Sequence, residues 1–146
     1  MLFNTILLPI DGSPLSYRPV QAVIALAKLA RARLVLLSVA EPALYRSSSA
    51  DAVQSGSAVE VMHLETARKK LRTVQAKAET AGVACESVVF LSALPAEEIL
   101  KTAKQKNCDL IVMATRGEMG IVDTIFSEST TQAVLQKSST PVLVFP

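Results

Sequence analysis

Tryptophan is absent, aromatic residues make up only 4% of the chain, and His63 is the single histidine. So few flat rings disfavour the base-stacking platforms that single-strand nucleic-acid binders use. With no second imidazole, acid–base relays and histidine metal clusters have few candidates. His63 falls mid-helix between Met62 and Leu64 and reads as solvated or helix-lining. The two cysteines, Cys85 and Cys108, are far apart and have neither Cys-x-x-Cys spacing nor a neighbouring histidine. That argues against a metal site, and both read as small buried thiols beside apolar strand-like runs. Charge is sparse as well: 19% of residues are charged and the net charge is +2. A balance this small does not argue for nucleic acid or an acidic membrane as partner. Arg68 and Arg72 are bracketed by Glu60, Glu65 and Glu79, as on a solvated helix face. No apolar run reaches the ~18–20 residues of a membrane span, and no basic segment precedes the opening run, which Asp11 cuts short. The expected location is the cytoplasm.

Half of the residues are apolar. That richness suits a sheet covered on both faces, or a chain that hides further surface in an oligomer. Strand-like and helix-like segments alternate from end to end. Residues 5–10 (TILLPI) form an apolar run that ends at the turn signal Asp11-Gly12-Ser13-Pro14. Ser16 is placed to cap a helix running to about Ala32, with Pro19 in its first turn. Residues 34–39 (LVLLSV) read as a second strand. From Ala43 to Ser57 periodicity lapses, which predicts a long mobile loop of the kind that often acts as a lid. A helix is expected over 58–81, with Val61, Leu64, Ala67, Leu71, Val74 and Ala78 as its apolar stripe and Gly82 as its C-cap. Strands over 87–91 and 109–113 flank a helix over 95–106 that has Pro95 near its start. A last helix ends near Lys137, and a final strand runs from Pro141 to Phe145. Five strands and four helices in strict alternation predict one α/β domain over residues 1–146, with a parallel, doubly wound, Rossmann-like sheet.

Ligands of such sheets bind beyond the carboxyl ends of the strands, where strand order reverses. If the first and fourth strands adjoin there, Asp11-Gly12-Ser13 meets Ala114-Thr115-Arg116-Gly117 and the Glu118-Met119-Gly120 that follows. Asp11 either accepts hydrogen bonds from a ribose or only closes a turn. Arg116 either supplies positive charge or is solvated. Gly117 and Gly120 permit close backbone approach, or Gly120 is only a bend.

Taken together, ILLPIDGS at the start, CDLIVMATRG, STPVLVF at the end and the PAEEIL helix start resemble the universal stress protein family. The resemblance covers essentially the whole chain, including the loop after Pro42. It implies the strand order 3-2-1-4-5, with an adenosine-lining set of Pro9, Asp11, Val39 and Met113. For Val39 and Met113, strand-end packing alone explains the residue equally well. With Gly12, Ser13, Thr115, Arg116 and Gly117, these make up the expected nucleotide cleft, and ATP or AMP is the implied ligand. Members that bind ATP follow the fourth strand with Gly, two residues, Gly, nine residues, Gly and then Ser or Thr. Here the pattern reads Ala114, Thr115-Arg116, Gly117, nine residues, Ser127 and Glu128, so only Gly117 matches. An acid at Glu128 occupies the place of the phosphate-binding hydroxyl, so weak or lost ATP binding is expected. The family also implies homodimers through the final strand, whose apolar Val142-Leu143-Val144-Phe145 needs cover at a sheet edge.

Two rival classes fit less well. A phosphoacceptor receiver domain wants clustered acids where Asp11 stands alone, and a flavodoxin-like domain wants a hydroxyl-rich loop and stacking aromatics. Ser13 follows Asp-Gly and lacks the Gly-x-Ser-x-Gly elbow of a hydrolase. The expectation is a stress-response regulator that is not an enzyme and works through a protein partner. The alternative is an ATP- or AMP-binding stress protein with slow ATPase or nucleotide-switched signalling.

Overall fold

The computed structural model describes residues 3–42, 50–114 and 128–146, apart from the side chains of Leu15, 50–57 and 128–129. Its elements are β1 (Thr5–Pro9), a 3-10 turn (Pro14–Tyr17), α1 (Val20–Ala30), β2 (Arg33–Ala40) and α2 (Ala50–Thr80). They continue with β3 (Cys85–Leu91), α3 (Pro95–Gln105), β4 (Leu110–Ala114), α4 (Glu128–Lys137) and β5 (Val142–Phe145). The sheet order is β3-β2-β1-β4-β5. Every pairing is parallel, and Ile6 sits between Leu34 of β2 and Leu110 of β4. Chain direction across the sheet thus reverses between β1 and β4, as the resemblance implied.

The continuous apolar runs of the inner strands follow from this arrangement. Successive side chains point to opposite faces, and both faces are covered. Ile6, Leu8, Leu34, Leu36 and Val112 pack toward Val23, Ala27, Leu71 and Val74 of α1 and α2. Leu7, Val35, Leu37, Ile111 and Met113 pack toward Ile99, Ala103 and Val134 of α3 and α4.

Two boundaries differ from the sequence reading. Ser16 does not cap α1: its hydroxyl donates to the Ser13 carbonyl at 2.8 Å within the 3-10 turn, and Pro19 is the N-cap residue. Proline pushes the residue before it away from helical backbone, so the helix starts afresh after Pro19. The expected loop from Ala43 to Ser57 is also too long, since α2 is already running at Ala50. Extending an existing helix adds one hydrogen bond per residue without a new nucleus, and that carries it through Ser55, Gly56 and Ser57. Residues 43–49 lie outside the described set.

Gly82 ends α2 as expected. At φ 84° it turns the chain so that Gly82 N–H reaches the Glu79 carbonyl and Val83 N–H the Ala78 carbonyl, both at 2.9 Å. At the opposite end of the sheet from the cleft, Asp109 clamps β1 beside β4 by accepting from the N–H groups of Asn4 and Thr5 at 2.8 and 3.0 Å. Burial pushes the Asp109 carboxyl up, but these donors and the Asn4 amide outweigh it, so the group sits below its ordinary value.

Candidate functional site

The carboxyl ends of β1 and β2 open into a cleft of about 220 Å³ whose far wall is α2. Asp11, Val39 and Glu41 come from the strand ends; His63, Thr66 and Lys70 come from the helix.

Asp11 stands two residues beyond β1. Its Oδ1 accepts from Ser13 N–H at 2.8 Å and from Ser13 Oγ at 2.6 Å. Asp11 therefore does close the turn, and the same carboxylate lines the cleft. Ser13 Oγ in turn accepts from Ser16 N–H at 3.3 Å, so the turn is held by a chain of side-chain bonds rather than by packing. Burial, and then the negative charge of Asp11, raise the Tyr17 phenol above its ordinary value, which keeps it a protonated donor. Gly12 adopts φ 86°, a conformation that costs L side chains steric strain. A Cβ there would also lie 2.8 Å from Lys70 Cδ, because the lysine chain is laid across the glycine.

Pro9 is buried as the last residue of β1. Val39 is 1% exposed and Met113 2% exposed, and both belong to the core facing α3 and α4. Val39 also lines the cleft; Met113 is not among the described lining residues. Thr115, Arg116, Gly117, Gly120 and Ser127 lie outside the described residues. Ala114 ends β4 opposite Phe145, and Glu128 is the first residue of α4.

Sequence reasoning missed the α2 wall. His63, Thr66 and Lys70 follow helical i, i+3, i+7 spacing along one flank of the apolar stripe, a signal that was present but looked like solvated surface. The helix-lining reading of His63 is the one the structure shows. His63 Nδ1 lies 2.9 Å from the Glu41 carbonyl. A carbonyl only accepts, so Nδ1 carries a hydrogen and donates it. This bond ties α2 to the end of β2 at the cleft mouth.

The thiols offer no nucleophile. Burial pushes Cys85 up to about 12 and Cys108 up to about 11, so both stay protonated at neutral pH. Cys108 is buried and Cys85 half-buried.

These features define a small doubly wound α/β domain with a cleft between the carboxyl ends of β1 and β2 and helix α2. The chain belongs to the universal stress protein family, whose sequence model matches residues 2–146. It is 32% identical over 148 residues to universal stress protein YxiE of Bacillus subtilis, covering 98% of this chain and 99% of that protein. It is 34% identical over 143 residues to a universal stress protein of Thermus aquaticus, with 98% of each covered. The fold matches the universal stress protein UspA of Lactobacillus plantarum with a TM-score of 0.83 at 21% identity, covering 100% and 99% of the two chains. Two solved family structures carry ligands. One is a complex with cAMP (TM-score 0.71, 22% identity, 100% and 99% covered); the other is an Archaeoglobus fulgidus protein with dAMP (0.65, 17%, 100% of each).

Proposed function

We propose that this chain is a dimeric, cytoplasmic stress-response regulator that is not an enzyme. Its cleft holds the adenosine part of a nucleotide but has lost the seat for a triphosphate. One observation carries the reading: by the family pattern Glu128 stands where a phosphate-binding hydroxyl is expected, and it is the first described residue of α4. A helix N-terminus attracts anions through free N–H groups and a partial positive charge. A carboxylate in a helix's first turn competes with an incoming anion for those groups and repels it. Two unit charges ~4 Å apart repel by roughly 4 kcal/mol at an effective dielectric near 20, and about a third of that is tenfold in affinity. Ala114 and Ser127 add Cβ atoms where the family pattern has glycine. The adenosine side fares better, since Asp11 and Val39 line the cleft together. The cAMP and dAMP held by two family structures carry one phosphate each, which fits a cleft that keeps the nucleoside end.

The sheet's two edges support a dimer through β5. At β3 the outer edge is blunted by Gln75 of α2, whose Nε2 donates to the Cys85 carbonyl at 3.1 Å and whose Oε1 accepts from Ser87 Oγ at 2.6 Å. At β5 the described residues provide no strand beyond β4's partner, and Leu143 is 42% exposed. Antiparallel pairing with a second copy covers that edge.

Titration calorimetry with ATP, ADP and AMP tests the cleft. The expected result is AMP binding with ATP no tighter than AMP. Micromolar ATP binding that exceeds AMP would favour the alternative, a stress protein switched by ATP or hydrolysing it slowly.

A further inference from the structure

We propose that Lys70 is the phosphate-binding cation of this cleft and makes it selective for a nucleoside monophosphate. The inference rests on the adenosine reading above and adds a residue that the glycine pattern after β4 does not supply. Lys70 is half-buried and lies over Gly12: its Nζ is the atom nearest to where a Cβ would stand, followed by Cδ and Cε at 2.8 and 3.0 Å. Here the stem is bedded on the turn that also holds Asp11, and the residue lines the same cleft. Among the described residues it is the only lysine or arginine that does so. A ribose that donates to Asp11 therefore has a cation lying over the next residue, Gly12.

The charges lining the cleft set how many phosphates fit. Among the described lining residues Asp11 and Glu41 are acids, and Lys70 is the one lysine or arginine. A first phosphate meets the ammonium. A second and third add negative charge that no described cation of the cleft meets. Hydrogen bonds to a charged group contribute about 1.5–3 kcal/mol, equivalent to about tenfold or more in affinity.

The test is calorimetry with adenosine, AMP and ATP on the full chain and on its Lys70→Met and Lys70→Arg variants, each checked for an unchanged melting curve. In the unaltered protein AMP is expected to bind at least about tenfold tighter than adenosine, with ATP no tighter than AMP. Lys70→Met should bring AMP down to the affinity of adenosine and leave adenosine itself unchanged; Lys70→Arg should keep most of the preference. If the AMP preference persists in Lys70→Met, the phosphate is held elsewhere and the role of Lys70 is refuted while the adenosine reading stands. If neither adenosine nor AMP binds the unaltered protein, the adenosine reading fails and Lys70 has no such role. Loss of adenosine binding together with AMP binding in Lys70→Met would show a lysine that only shapes the cleft, which also overturns the proposal.

Discussion

The triple variant Ala114→Gly, Ser127→Gly, Glu128→Ser is expected to bind ATP at least about tenfold more tightly than the unaltered chain. Glu128→Ser should carry most of the gain, for two reasons. It removes a carboxylate from the first turn of α4 and puts in its place a hydroxyl that can donate to a phosphate oxygen. The two glycines act differently, by removing Cβ atoms that keep a ligand from the backbone N–H groups. Their single effects should be small while Glu128 remains, because close approach to a repelling group brings no benefit. The three effects are therefore expected to be more than additive, as for residues that share one partner. Calorimetry on the single, double and triple variants measures this. No gain in the triple variant would place the obstacle elsewhere in the cleft, with the α2 wall the first region to test.

Val144→Asp is expected to convert the protein from dimer to monomer in sedimentation at concentrations where the unaltered chain is fully paired. Val144 is half-buried in the outer strand, level with Met113 of β4. By the two-residue alternation it shares a sheet face with Val142, which packs against the α3–α4 core. In an antiparallel pair of β5 strands, a two-fold axis brings each residue near its own copy or a close neighbour. An introduced carboxylate is then buried twice, without a counter-charge. A buried, unpaired charge costs on the order of 3–5 kcal/mol, which is more than a hundredfold in dimer affinity. Far-UV circular dichroism should be unchanged, because β5 remains paired with β4 inside each monomer. A dimer that survives Val144→Asp would exclude β5 as the interface. The β3 edge, blunted by Gln75, would then have to be reconsidered.

Much of the fold could be read before the structure because its decisive signals are local. The buried strands announce themselves as unbroken apolar runs, since alternate residues such as Leu7 and Leu8 each meet a covered face. Gly82 marks the end of α2 through its left-handed backbone. Two other helix ends fall within two residues of the expected ones, although Arg31 (φ 56°) and Asn107 (φ 53°) adopt the same conformation there without glycine's signature. There the stabilisation of buried neighbours such as Ala27 and Ala103 offsets the steric cost. Pro19 was seen as tolerable inside a helix, yet its effect on the preceding residue splits the segment into a 3-10 turn and α1.

The site was legible where strand ends carry it and hidden where a helix does. Asp11 follows from the rule that ligands gather beyond the carboxyl ends of the strands, and Val39 from the family resemblance. His63, Thr66 and Lys70 follow from no local rule. They become a wall only once the crossover from β2 to β3 lays α2 beside the end of β1, and that placement is a long-range fact. Lys70 also gives Gly12 a second reason to be glycine, one that no turn pattern supplies.

The most direct measurement is the nucleotide content of the protein purified without added ligand, released by denaturation and quantified by chromatography. The proposed loss of the triphosphate seat predicts far less than one ATP per chain, with any bound nucleotide carrying a single phosphate. One ATP per chain would contradict it.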